Sequence, residues 1–470
     1  VLNRSLFIIL VASLSVGGHS RLQPQTPETK QNVASNTGQA RTLLNLANAS
    51  AVKITNNFQR QLVLEKIGAA QAKAGDLEAA VDTANLASSF APRVFEAIGE
   101  QLGQSNDLSR AETLGGKFKQ RSISYILSSM ARTQVRNGKI EDALQTVKKI
   151  SSREIRSYAL ENIARAQAAK GDYSQARKTL ALAKAAHALL NPDELEMFIV
   201  TRQLSRGETQ QARAMIDSWK SDDKRISALI GAAEELRKQG DKTAAEQWLR
   251  EGLRQLPAGP SHEFFRYLAI PIEVKLGHKE QAFAAAGALS QNLRAKAYMT
   301  VAVACAEEKD VACVDTAIER MTSAAPSGQI SNFGLNLMIL NVTAALIDNE
   351  QLEAASRWLA MVEQQINDAG RIKSRTQLQR VVLLAKKGNL EEARLLALAI
   401  SPNFTTDVER GEALRITALL QTKTKGQGSS QPWSLALSDI EDRAYALLGI
   451  AESLLDTGNV KLTYSPIQLH

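Results

Sequence analysis

The chain has 470 residues, enough for several ordinary domains, and is 44% hydrophobic but only 5% aromatic. A core of Ala, Leu, Ile and Val suits closely spaced helices and argues against a sheet, which favours β-branched and aromatic residues. The formal net charge of +8 has both signs well mixed and permits weak attraction to an acidic surface, but no lysine/arginine block or aromatic-rich strand is present, so nucleic acid is not an expected partner.

Residues 1–20 have the pattern of an export signal peptide. Arg4 supplies the positive start, Leu6 to Val16 is an apolar run, and Gly18 and Ser20 are small residues suited to cleavage. The run is short for a membrane span, although an uncleaved anchor is the alternative. The mature chain is therefore expected to be exported, periplasmic or extracellular, with no integral membrane span. Residues 21–38 are rich in Gln, Thr, Pro, Asn and Ser and read as a disordered leader. Helix is expected from about Gln39, with Ala40 to Val52 as a lone helix over the first repeat.

Beyond Gln59 one sentence recurs along the chain, clearest from Arg156 to Leu180. Ala159, Leu160, Ile163, Ala164 and Gln167 share a helical stripe. Gly171 can take a positive φ and stop that helix, and Asp172 can cap the next one. Ala176 is small enough to let the second helix lie against Ala164. The turn position returns at Gly75, Asn106, Gly138, Gly171, Gly207, Gly240, Gly277, Lys309, Glu350, Gly388, Lys425 and Gly458. Alanine stands five residues later at 80, 111, 143, 176, 212, 245, 282, 355 and 393. Such periods, here 31–41 residues, indicate a solenoid.

The hairpin resembles a tetratricopeptide repeat, whose period is about 34 residues. The large-then-small pairs Ile67-Gly68, Ile98-Gly99, Ile163-Ala164 and Ile450-Ala451, the Gly-Asp turn followed by Ala, and prolines 17 residues after the turn at Pro92, Pro257 and Pro326 carry the resemblance. Proline is expected there to close the second helix. The first large position is Leu64 or Leu160 where the family has an aromatic residue, and the turns at Lys309, Glu350 and Lys425 lack glycine. The resemblance implies an all-α, right-handed superhelical α-solenoid of about 11–12 repeats over residues 39–460, with an inner surface lined by first helices.

Several breaks punctuate the array. Pro192 is placed to start a helix capped by Asn191. Residues 257–260 read as a long turn or a hinge between two halves. Pro271 falls inside a helix and should kink it. Cys305 and Cys313 are the only cysteines, one on each arm of a hairpin, and read as either a disulfide or two small buried thiols. Residues 426–432 read as a loop. Residues 441–457 read as a terminal capping helix with no partner, and 461–470 as a tail.

A search for chemistry finds little. His262-Glu263 lacks a second histidine, the two cysteines have no zinc spacing, and no phosphate loop or nucleophile elbow occurs. No catalytic residue, cofactor or metal is expected. Arg60, Arg156, Arg225, Arg294, Arg410 and Arg443 each precede a first helix. They read as either a line of cations for an acidic ligand or, with more force, as caps on the carbonyl end of the preceding helix. The candidate ligand face comprises Arg93, Tyr125, Arg132, Arg136, Tyr158, Glu161, Arg165, Phe264 and Tyr267, since aromatic and Arg side chains dominate binding hot spots. The function expected is a non-enzymatic scaffold binding protein or peptide segments. The alternatives are a cell-wall polysaccharide-processing enzyme with a helical superstructure and a nucleic-acid-binding repeat protein.

Overall fold

The computed structural model describes residues 27–87, 91–118, 120–186, 192–256, 262–324, 332–366, 371–401, 409–457 and 460. Within them, most residues expected to take a left-handed conformation do so. Gly171 has φ +89°, and the other glycine turns from Gly75 to Gly388 are likewise positive. Asn106, Lys309 and Glu350 adopt the same region without glycine, at φ 58°, 59° and 64°. The turn expected at Lys425 falls one residue on, at Gly426, and Asp456 takes φ 51° just before Gly458, which lies outside the described residues.

The backbone explains why the conformation recurs. At each turn the next residue's N–H reaches back to a carbonyl of the helix just ended, as in Asp76 to Gln71 at 3.0 Å, Asp172 to Gln167 at 3.0 Å and Asp310 to Cys305 at 2.9 Å. This Schellman geometry satisfies carbonyls that a helix end otherwise leaves orphaned. Where an aspartate follows, it caps the second helix. Asp107 accepts from the Arg110 amide at 2.9 Å, Asp172 from Gln175 at 3.1 Å and Asp241 from Ala244 at 3.0 Å.

The described residues form twenty-four helices and contain no strand. They divide into two compact units, one of residues 193–368 and one of residues 27–192 with 369–460. The division does not fall at 257–260, a segment that lies outside the described residues.

In the discontinuous unit, α1 (Pro27–Ala51) precedes the pairs α2 (Asn57–Lys73) with α3 (Leu77–Ala87), α4 (Pro92–Ser105) with α5 (Leu108–Gly115), α6 (Gln120–Arg136) with α7 (Ile140–Lys148), and α8 (Arg153–Ala169) with α9 (Tyr173–Ala186). First helices are successive neighbours, α2 on α4, α4 on α6 and α6 on α8. Ala80, Ala111, Ala143 and Ala176 have no exposed surface, as close packing at the turn requires. A Cβ placed on Gly103 would stand 2.6 Å from Thr133 Cβ and 2.8 Å from Met130 O, so α4 and α6 meet backbone to backbone. Inside the hairpins the stripe also carries a polar pair. Thr83 donates to Gln71 at 2.7 Å and Thr146 to Gln134 at 2.9 Å, both buried. A buried amide costs little once it is bonded, as at Gln134, whose Nε2 donates to Asn106 at 2.6 Å, whereas the Gln71 Nε2 has no partner among the described residues.

The continuous unit contains α10 (Pro192–Ser205), α11 (Thr209–Asp217), α12 (Asp222–Lys238), α13 (Lys242–Arg254), α14 (Glu263–Leu276), α15 (Lys279–Ala288), α16 (Gln291–Glu307), α17 (Val311–Ala324), α18 (Asn332–Asp348) and α19 (Leu352–Gln365). Trp219, Trp248 and Phe265 join Leu and Ile side chains in one core across α10 to α14. Pro271 lies inside α14 as read from the sequence. Cys305 on α16 and Cys313 on α17 are joined by a disulfide, with their Cα atoms 5.8 Å apart.

The discontinuous unit is completed by α20 (Arg371–Lys386), α21 (Leu390–Ala399), α22 (Glu409–Lys425), α23 (Gln427–Ala436) and α24 (Ile440–Leu454). Four expectations change in this unit. Helix α1 starts at Pro27, inside the stretch read as leader. Its apolar residues Ala40, Leu43, Leu44 and Ala47 are buried, α1 packs on α24 and α2, and a helix fixed there extends cheaply into polar sequence. Pro92 opens α4 rather than closing α3, because its missing N–H is not needed in a first turn. Residues 427–436 are helical despite Pro432, since α23 docks on α22 through Thr422 with Ser430 at 2.6 Å and Trp433 with Gln421 at 3.2 Å.

The fourth change concerns the terminal helix, which is not an unpaired cap. Ala444 to Ala451 are buried without interruption, against α22, α1, α23 and α2. Two of its acids turn inward. Asp442 receives Arg410 at 2.9 and 3.0 Å, and Glu452 pairs with Arg415. A helix that is apolar all round must be buried all round.

The arginine joints are settled by their hydrogen bonds. Arg60 donates to Ile54 O at 3.0 Å, Arg156 to Ile150 O at 3.5 Å, Arg225 to Trp219 O at 3.2 Å, Arg294 to Leu289 O at 3.1 Å and Arg443 to Leu437 O at 2.9 Å. They cap carbonyl ends and neutralise the helix dipole there. Arg410 differs by pairing with Asp442.

Candidate functional site

The first helices α4, α6 and α8 place the sequence-derived candidates on one run of neighbours, and most of their charges are matched within it. Arg132 lies 3.9 Å from Glu96, and Arg136 donates to Glu100 at 2.8 Å and to Thr133 at 3.1 Å. Arg165 binds Glu161 one turn earlier, at 2.9 Å through Nε and 2.6 Å through Nη2. The Arg132–Glu96 and Arg136–Glu100 pairs are exposed and contribute little to stability, so their cations can exchange partners at low cost, whereas the Arg165–Glu161 pair is more enclosed. Tyr158 is 49% exposed on α8 and is the largest apolar surface in the set, whereas Tyr125 is half-buried.

Phe264 and Tyr267 belong to the other unit. Tyr267 shares a hydrogen with Thr300 at 2.8 Å, and burial pushes its phenol pKa above the ordinary value although that hydrogen bond pulls it down. Phe264 stacks edge-on against Phe265, the rings 6.0 Å apart, as part of the local packing.

The strongest electrostatic feature is one the sequence reading did not find. At the junction of α2, α22 and α24, Lys66 pairs with Glu412, Arg415 donates to Glu412 at 3.0 Å, and Arg415 also pairs with Glu452. Arg415 is 8% exposed. Lys66 lies over the Tyr445 ring at 5.6 Å, and Tyr445 has no exposed surface. Burial holds the Lys66 ammonium below its ordinary pKa even with Glu412 beside it. Burial alone would raise the Glu412 carboxyl, but Arg415 and Lys66 outweigh it and hold it below the carboxylate range. Charges withdrawn from water survive only in such a mutually satisfied set. Residues Lys66 and Glu412 are far apart in sequence, so no local spacing could reveal them.

Beside this network lies a cavity of about 150 Å³ lined by Lys66, Ala69, Ala70, Lys73, Arg93, Glu452 and Thr457. Arg93, singled out from the sequence, stands here, its backbone N–H bonded to Glu65 at 3.0 Å. In the other unit an open groove of about 380 Å³ is framed by Arg213, Asp217, Asp222, Arg225 and Glu251. Its charges are internally paired, with Arg213 gripping Glu251 through two bonds of 2.6 Å and Asp217 at 2.8 Å.

Among the described residues no group of three or more His, Cys, Asp or Glu side chains could hold a metal ion, and no helix is long and apolar enough to cross a membrane. The expected signal peptide at 1–20 and the tail at 461–470 lie outside the described residues. Comparison with known proteins finds no family model and no curated protein that matches this chain.

Proposed function

We propose that the chain is an exported scaffold of tetratricopeptide-like repeats that binds protein or peptide segments on its first helices. The observation that carries this reading is the run α2, α4, α6 and α8. Each helix is the next one's neighbour, and each is ended by the same left-handed turn. Repeating one hairpin in register makes a long surface on which an extended partner meets equivalent positions again and again. On that run Tyr158 supplies apolar area, and Arg132, Arg136 and Arg165 supply cations paired with Glu96, Glu100 and Glu161. Right-handed superhelical stacking over residues 39–460 is part of the same proposal.

Export is supported by the Cys305–Cys313 disulfide, because such bonds persist in oxidising compartments. Two measurements test the reading. Affinity capture from the periplasm or medium of the source organism should recover a protein partner that is lost with Tyr158→Ala plus Arg165→Ala. Unchanged capture would remove this face. Mass spectrometry of the purified native chain should find its N-terminus after Ser20, and an intact residue 1–20 segment would refute cleavage.

A further inference from the structure

The cavity between α2, α4 and the end of α24 carries a charge that the protein itself leaves unanswered. Four of the ionised groups at this junction cancel: Lys66 with Glu412 and Arg415 with Glu452. Two more cations, Lys73 and Arg93, line the same cavity. Among the described residues neither side chain has a carboxylate or carbonyl partner. Glu65 is committed to the backbone N–H of Arg93 at the first turn of α4 and is not part of the lining.

A third element adds a neutral donor. Thr457 follows the left-handed residue Asp456 at the end of α24, where its N–H bonds Glu452 O at 3.0 Å. Its hydroxyl oxygen is buried with no hydrogen-bond partner among the described residues. Leaving a buried hydroxyl unpaired is costly, and native structures seldom do so without a ligand or water to meet it.

We propose that this cleft binds a dianionic tetrahedral oxyanion, of the hydrogen-phosphate class. The charge count asks for two negative charges. The donors come from three directions, α2, α4 and the end of α24, which suits oxygens arranged tetrahedrally better than the flat pair of a carboxylate. The space of about 150 Å³ is large enough for a phosphoryl group. Charged donors of this kind make charge-assisted bonds, stronger than those between neutral groups. Arg93 and Lys66 also repel one another across the cavity, part of the reason the Lys66 ammonium is held low, and an anion between them relieves that repulsion.

The source of the phosphoryl group is either free phosphate or a phosphomonoester, and calorimetry distinguishes them. Full-length protein is titrated with sodium phosphate, glycerol 2-phosphate and sodium succinate at matched ionic strength. Saturable one-to-one binding of phosphate is expected, and comparable binding of glycerol 2-phosphate would extend the site to monoesters. Arg93→Ala and Lys73→Ala are each expected to weaken binding about tenfold or more, and Thr457→Val about fivefold. Lys73 and Arg93 are exposed, so both variants should keep the wild-type circular dichroism spectrum and melting temperature. No saturable binding of either phosphate, tighter binding of succinate, or affinity untouched by Lys73→Ala and Thr457→Val would each overturn the proposal. Lys73 and Thr457 lie outside the proposed partner face, so partner capture through Tyr158 and Arg165 succeeds or fails independently of this result.

Discussion

The run α4–α6–α8 and the junction of α2, α22 and α24 use the same kind of helix and treat charge in opposite ways. On the run, Arg136 meets Glu100 and Arg132 meets Glu96 with all four side chains at least one third exposed. At the junction, Lys66, Glu412, Arg415 and Glu452 are far more enclosed and bridge helices separated by most of the chain. In water-facing pairs, screening and side-chain entropy consume most of the attraction. In enclosed pairs, losing one partner strands the other away from solvent. The run is therefore free to vary its charges, whereas the junction uses its charges to hold the first and last parts of one unit together.

The sharpest way to break this contrast is through backbone approach. A Cβ on Gly449 would collide with the Arg415 carbonyl oxygen and lie 2.9 Å from its carbonyl carbon, so Gly449→Ala should cost about 3 kcal/mol or more in chemical denaturation. Gly68→Ala meets only the side chains of Val94 and Thr83, with Val94 Cγ2 at 2.9 Å, and should cost about 1 kcal/mol. Equal losses would show that the α22–α24 contact is no tighter than the α2–α4 contact.

Charge comes next. Glu412→Gln should destabilise by about 2 to 3 kcal/mol, against about 0.5 kcal/mol or less for Glu100→Gln. The Glu412 carboxyl is held below its ordinary pKa, so its contribution is present above that ordinary value and is lost as pH falls through the depressed one. Urea midpoints measured from pH 6 downward should thus fall less steeply in Glu412→Gln. Glu441 has the opposite sign. Burial, with Asp439 and Asp442 nearby, raises its carboxyl to about 7, so its contribution is present at low pH and lost as pH rises through about 7. Glu441→Gln should accordingly raise the melting temperature at pH 8 and leave it nearly unchanged at pH 4.

Smaller effects sharpen the account of the turns. Removing the Cys305–Cys313 clip by double serine substitution should lower stability by about 2 kcal/mol, as expected for a short closed loop. Arg443→Ala, which uncaps the Leu437 carbonyl, should cost about 1 kcal/mol and Arg60→Ala no more than that. A loss of partner capture in these arginine variants, with stability intact, would restore the reading of those cations as a ligand-facing line.

Much of the fold was legible because it is local. A left-handed turn needs a residue that tolerates it, a helix start needs an acceptor, and a close contact needs a small side chain. Each requirement marks the sequence at a fixed offset, which is why Gly171, Asp172 and Ala176 foretell the conformation, cap and packing found there. Even Lys309 and Glu350, without glycine, were placed by period alone. The aromatic and arginine candidates on α6 and α8 were found by the same counting. Where counting failed, at Pro92, at Pro432 and at the start of α1, a neighbouring helix overruled a local preference worth only a few kcal/mol.

What tertiary structure alone decided is which distant surfaces meet. The uninterrupted burial of Ala444 to Ala451 had a visible cause in its apolar sequence, but its partner, α1, stands at the other end of the chain. Periodicity carries no information about contacts between segments so far apart. The ion network of Lys66, Glu412, Arg415 and Glu452, and the cationic cleft beside it, exist only because that meeting occurs. Sequence set the hairpin, since its determinants lie within a few residues of one another. Folding set the junction, since long-range burial selects partners by shape and charge with no local signature.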